Sequence, residues 1–244
     1  MQFKLIIFDF DGTLGDTRRN IVVTMQQTLE AQGLPQRDGD SCASTIGLPL
    51  AGCFRSLLPD VSEEVIDRCV DTYRQLFELN KDKMPPQSFP HVAETLESLS
   101  QKGIRMSVAT SRGLESLRDL LTSMGIIKYF DLLLGADNVT KHKPDPEPVL
   151  MTLEKLNIDA SETLVVGDMP VDILMGKGAG CTTCGVTYGN ATREELVGIY
   201  WIYKSSHTFL IITGAISLQL IAKIQLFCLN SKNSVDRFPI FPTF

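Results

Sequence analysis

The sequence has no basic excess. Its 23 Lys and Arg stand against 29 Asp and Glu, a formal net charge of -6. A nucleic-acid surface needs a basic face, so that class of partner is excluded. Long apolar runs are missing too. The run behind Lys4 is only Leu5, Ile6, Ile7 and Phe8, and it stops on aspartate, which does not describe a secretory signal. Residues 205–222 carry no Asp, Glu, Lys or Arg. Thr, Ser, Gln and Gly dilute that stretch, however, and Lys223 ends it, so no membrane span is expected. Cysteine is sparse and irregular: six residues, read as free thiols of a reducing cytoplasm. Cys181 and Cys184 have redox or metal spacing, but no second pair or nearby histidine joins them, and an apolar segment follows. They read as small buried residues entering a strand. Of the three histidines, His91 and His142 read as surface residues.

What is present suits a cytoplasmic globular protein, monomer or homodimer. With 244 residues the chain holds one large domain, or one domain with an insertion. Residues 5–8 have the length and type of a buried parallel strand. Residues 17–31 place Ile21, Val22, Met25 and Leu29 at helical spacing, and Gly33 and Pro35 end that helix. Residues 62–80 form another helix, with Ser62 as its cap and Val65, Ile66, Cys69, Tyr73, Leu76 and Phe77 on its apolar face. Nothing between 16 and 84 reads as a strand.

Pro85, Pro86 and Pro90 break this helical block, and helix and strand then alternate. Helices are expected at 91–101, 114–124, 147–156 and 171–179. Strands are expected at 104–109, 129–134, 163–166 and 182–187. Repeated units of this kind give an α/β fold, a doubly wound parallel sheet with helices on both faces. The helical block interrupts it. Residues 1–15 and 86–195 are therefore read as the core, 16–85 as an all-helical insertion and 196–244 as a C-terminal segment.

Chemistry gathers at the strand ends, where open α/β sheets bind ligands. The first strand runs into Asp9 and Asp11, two apart and on one side of an extended chain, before Gly12 lets the backbone turn. Carboxylates there offer a nucleophile, a general acid or base and metal-binding oxygens. The second strand ends at Thr110, Ser111 and Arg112, a hydroxyl followed by a backbone N–H. Lys143 opens a loop stiffened by Pro144, Pro146 and Pro148. The strand 163–166 runs into Gly167, Asp168 and Asp172. Arg18, Arg19 and Arg112 stay open between a contact to a substrate anion and a solvated charge.

This order of motifs resembles the haloacid dehalogenase-like superfamily over about residues 1–195. Asp9-Phe10-Asp11-Gly12-Thr13 matches its first motif, Thr110 the second, Lys143 the third, and Gly167-Asp168 with Asp172 the fourth. The insertion is similar to the family's type-one helical cap. Ile46-Gly47-Leu48-Pro49-Leu50 and the proline-rich stretch after Lys143 most resemble phosphoglycolate phosphatases and near relatives. The resemblance implies a Mg2+-dependent phosphomonoester hydrolase acting on a small phosphorylated metabolite. Asp9 would be the nucleophile and Asp11 the acid and base. Thr110, the Ser111 amide and Lys143 would hold the transferring group. Asp9, the Asp11 carbonyl and Asp168 would hold the metal, with Asp172 a ligand or behind one. Thr13, Ser111, Arg18 and Gly47 would border the substrate. An aspartate at position 11 selects phosphoryl transfer over dehalogenation. A sugar phosphomutase, or a phospho-acceptor or binding module without catalysis, remains as an alternative.

The tail departs from the family pattern. Asp and Glu number 28 in residues 1–195 and none from 196 to 235. Two readings follow: a strand at 209–212 and a helix at 215–229 completing the sheet, or a foreign segment from an altered reading frame.

Overall fold

The computed structural model describes residues 3–202 and 209–212, with side chains from 3 to 197. Strand β1 (Leu5–Phe8) lies at the centre of a six-stranded parallel sheet. The others are β4 (Arg105–Ala109), β5 (Leu132–Leu134), β6 (Thr163–Gly167), β7 (Thr182–Val186) and β8 (Phe209–Ile212). The order is β5-β4-β1-β6-β7-β8, with Leu5 opposite Arg105 on one side and Thr163 on the other.

Both faces of β1 are covered, which is why its four residues are all apolar. Alternation sends Ile6 and Phe8 to one face, with α5 (Val92–Gln101) and α6 (Leu114–Ser123) supplying Leu96, Leu99, Leu117 and Leu120. Leu5 and Ile7 go to the other face, against Val149 of α7 (Glu147–Leu156) and Met175 of α8 (Pro170–Gly178). Helix α9 (Arg193–Ile202) meets α8 through Leu196 and Ile173. This is the expected doubly wound sheet.

The helical block consists of α1 (Arg18–Ala31), α2 (Gly39–Ala43), α3 (Leu50–Leu57) and α4 (Glu63–Lys83). Helix α1 packs on α4 through Ile21, Met25 and Leu29 and through a satisfied polar contact. The Asn80 amide donates to Thr24 Oγ1 at 2.8 Å and to Gln27 Oε1 at 2.7 Å. The block shares one apolar cluster with the sheet, joining Phe54, Tyr73 and Phe77 to Phe8 and Phe10.

Several expectations change in detail. Two short strands, β2 (Gly15–Asp16) and β3 (Gln87–Ser88), pair antiparallel where the chain enters and leaves the block. Two residues are too few to show a periodicity, so neither was legible. The Ser62 hydroxyl makes no cap bond to α4. His91 sits before its helix in the left-handed region, at φ 65°. Tyr129 closes a short 3-10 turn, which delays β5 to Leu132. The strand expected at 209–212 is present as β8, paired with β7. The helix expected at 215–229, and with it the choice between the two readings of the tail, lies outside the described residues. Among the described residues no helix is long and apolar enough to cross a membrane. Cys181 and Cys184 are buried free thiols, each pushed up to about 12 by burial, as small core residues would be.

Candidate active site

The carboxyl ends of β1, β4 and β6 converge on one buried cluster. Asp9 follows β1 directly, and its amide donates to the Val166 carbonyl at 2.8 Å, which keeps it in line with the neighbouring strand. Lys143 reaches in from the loop before α7. Its Nζ lies 2.6 Å from Asp9 Oδ1 and 2.7 Å from Asp172 Oδ1, with all three side chains almost fully buried. Asp172 stands in the first turn of α8, where its Oδ2 accepts from the Met169 amide at 3.0 Å. A Cβ on Gly167 would stand 2.3 Å from the Asp172 Cβ, so the strand can end this close to α8 only on glycine.

Asp168 completes the cluster. Its Oδ2 accepts from the Asn190 amide at 2.6 Å and from Asn190 Nδ2 at 2.9 Å, and its Oδ1 accepts from Thr13 Oγ1 at 3.3 Å. Two glycines make room for it. A Cβ on Gly12, which has φ +93°, would fall 2.1 Å from Asp168 Oδ2, and one on Gly189 would fall 2.3 Å from the same atom.

The electrostatics are one-sided. Asp9, Asp168 and Asp172 can each place a carboxylate oxygen within 4.8 Å of the others, with one lysine among them. Burial, and then the neighbouring Asp172, push Asp168 up to about 7, although its hydrogen bonds from Asn190 act the other way. Burial also raises Asp9 well above the ordinary carboxylate range; Lys143 opposes the shift, while Asp172 and Asp168 add to it. Burial works against the Lys143 charge, but Asp172 and Asp9 outweigh it and raise its pKa. Three buried carboxylates call for more positive charge than one lysine supplies. Their all-oxygen donor set suits a hard divalent cation such as Mg2+. Asn190, which holds Asp168, keeps its own Oδ1 buried and without a protein partner. The residues present therefore fit the ion.

The remaining expected residues divide. Thr110 follows β4, with its amide donating to Leu134 at 3.0 Å and its Oγ1 accepting from the Arg112 amide at 3.2 Å. The Asp11 carboxylate does not join the acidic cluster. It turns to Arg112, whose Nη2 donates to Oδ1 at 2.6 Å and whose Nε donates to Oδ2 at 3.1 Å, and Thr17 Oγ1 adds a 2.7 Å bond to Oδ1. Its carbonyl faces Asn190 Nδ2 at 3.5 Å. Thr13, expected beside the substrate, is instead fully buried beneath Asp168, and its carbonyl accepts from the Tyr188 hydroxyl at 3.0 Å. Arg18 is half-buried, pairs with Asp40 at 2.9 Å and lines a small cavity of about 120 Å³ with Gly12, Tyr188, Gly189 and Asn190. The Ser111 hydroxyl is spent on the Gly47 carbonyl at 2.6 Å, and Gly47, at φ +101°, rests against Met169 and Val171. Gly47 thus lies against the loops that follow β4 and β6. Sequence reasoning missed Asn190 and Tyr188 and left Arg112 undecided.

The sequence profile of the family described as "Haloacid dehalogenase-like hydrolase" matches residues 6–186. The chain belongs to that family. Among curated relatives it is 40% identical over 197 residues to "Probable phosphatase IndB" of Dickeya dadantii, covering 79% of this chain and 84% of that one. It is 33% identical over 204 residues to the phosphoglycolate phosphatase of Aquifex aeolicus, covering 83% and 93%. A solved hydrolase from Pseudomonas syringae shares the fold at TM-score 0.77 and 24% identity, covering 92% of this chain and 99% of that one. In this haloacid dehalogenase-like hydrolase, three of the four sequence motifs follow β1, β4 and β6, and the fourth, Lys143, enters from the loop before α7.

Proposed function

We propose that this phosphatase hydrolyses small phosphomonoesters through an aspartyl-phosphate on Asp9, with 2-phosphoglycolate as the leading substrate. The buried cluster of Asp9, Lys143, Asp168 and Asp172 beside Thr110 carries the reading. Asp9 is the nucleophile: one carboxylate oxygen bonds to phosphorus as the ester oxygen leaves, and water later cleaves the acyl phosphate, so one hard step becomes two easier ones. Lys143 holds Asp9 in line and balances charge on the phosphoryl oxygens, which Thr110 Oγ1 and the Ser111 amide also face. Asp11 gives a proton to the leaving oxygen and later takes one from the attacking water.

Asp9, the Asp11 carbonyl and Asp168 are the residues that would hold Mg2+, with Asp172 beside them. When bound, the ion supplies the positive charge that lets a carboxylate approach a phosphate dianion. Residues 16–85 act as a cap that brings Gly47 and the aromatic face of α4 over the site and excludes water. Support for phosphoglycolate comes from the relatives that carry that name. The test is phosphate release from a panel of small phosphoesters with Mg2+, comparing wild type with Asp9→Asn. The variant should lose at least ~10^3-fold in rate. Equal activity in the two proteins would reject Asp9 as nucleophile.

A further inference from the structure

Arg112 is buried between two rings, its guanidinium carbon 4.7 Å from the centre of Phe77 and 5.9 Å from that of Phe10. Phe77 belongs to α4, and Phe10 lies between Asp9 and Asp11. All three guanidinium nitrogens are bonded: Nε and Nη2 grip Asp11, and Nη1 donates to Ser116 Oγ at 3.0 Å. A buried cation needs an anionic partner, and here that partner is Asp11.

This ion pair conflicts with the role proposed for Asp11. Its Oδ1 accepts from both Arg112 and Thr17, and its Oδ2 accepts from Arg112. Oδ1 is filled by its two donors and Oδ2 is turned to the guanidinium, so the carboxylate faces Arg112 rather than the acidic cluster where an ester oxygen would sit. Asp11 must leave the fork to act. Leaving alone would strand Arg112 as an unpaired cation between two aromatic rings, which is strongly unfavourable. A ligand that brings its own carboxylate removes that penalty, because the planar fork then trades one bidentate partner for another.

We infer that Arg112 reads a carboxylate on the leaving group, and that Asp11 fills its fork as a stand-in until the substrate arrives. This rests on the phosphatase reading of the same site. The substrate class is a short phosphomonoester whose alcohol bears a carboxylate a few bonds from the ester oxygen. No covalent bond changes in the exchange: the substrate carboxylate takes Nε and Nη2, and the Asp11 oxygens are released toward the ester. A neutral alcohol cannot make this trade, so it meets Asp11 only when the ion pair opens unaided. Selectivity between the two is a difference in transition-state binding set at one residue.

The test compares kcat/KM for 2-phosphoglycolate and ethyl phosphate, matched in length and differing in the carboxylate, in the full chain with Mg2+. Wild type should favour 2-phosphoglycolate by about 30-fold or more, and Arg112→Gln should remove most of that ratio. Arg112→Lys keeps the charge without the fork and covers the case in which Arg112→Gln does not fold. A ratio lowered at least about threefold in that variant supports the fork, and an unchanged ratio overturns it. Equal rates on the two esters in wild type, or an equal loss on both in Arg112→Gln, overturn the inference while the phosphatase reading stands. No phosphate release from any ester rejects the phosphatase reading, and this inference with it.

Discussion

Asp168 shows how burial of one carboxyl makes stability depend on pH. Its ordinary pKa of 3.8 rises to about 7 in the fold. Between those values the folded chain keeps a proton that the unfolded chain releases, so stability contributed by this group falls as pH rises from about 4 to about 7. Under the proposed metal site, a divalent cation would take the place of that proton. In EDTA, the melting temperature should therefore drop between about pH 5 and about pH 7.5. Mg2+ should raise it more at the higher pH, and Asp168→Asn should flatten the metal-free slope. Differential scanning fluorimetry reads all three, and a melting temperature indifferent to Mg2+ at the higher pH would count against this donor set. At this scale the sequence shows much of the site. Asp9, Thr110, Lys143, Asp168 and Asp172 stand just beyond apolar strands or beside prolines, where type and position agree. Asn190 and Tyr188 do not stand out, because they act across 22 and 175 residues from a loop whose local sequence marks only a turn.

Elements owe their placement to contacts that composition hides. Gly176 lies within α8, where alanine ordinarily gains about 1 kcal/mol of helix stability over glycine. Here a Cβ would stand 2.6 Å from Thr183 Cγ2 and 2.9 Å from Val165 Cβ, so α8 lies too close to β6 and β7 to admit it. Gly176→Ala should instead destabilise by about 1–3 kcal/mol in urea unfolding, with the lost packing exceeding the gained propensity. A stabilised variant would show that α8 can slide on the sheet. Legibility followed the same rule of local signal. Strands buried on both faces wrote continuous apolar runs, and α1 and α4 wrote helical stripes. The β2–β3 pair, held by four residues far apart in the chain, wrote nothing.

Over the whole molecule, sheet and helical block meet at residues adjacent in sequence: Ser111 bonds the Gly47 carbonyl, and Arg112 stacks on Phe77. Removing the first tie with Ser111→Ala should shift the local opening equilibrium of residues 46–48 by about 3- to 10-fold, the worth of one hydrogen bond. Faster amide exchange at Leu48, whose N–H bonds the Thr45 carbonyl, is the readout. Unchanged exchange would mean that the apolar cluster alone seats the block. The sequence announced the insertion but not these ties, since neither Ser111 nor Gly47 carries a pattern that names its partner.

The central position of β1 also has a consequence in time. The strand that leads into Asp9 is made before both of its neighbours, which begin at Arg105 and Thr163. At a synthesis rate of about 5–20 residues per second, β1 waits roughly 10–30 s with a bare hydrogen-bonding edge before β6 exists to close it. The strand that leads into Asp9 is thus older than both its neighbours and stays unsheltered on one edge until the second of them is made. A ribosome that stalls before residue 163 leaves it open to any other extended chain nearby.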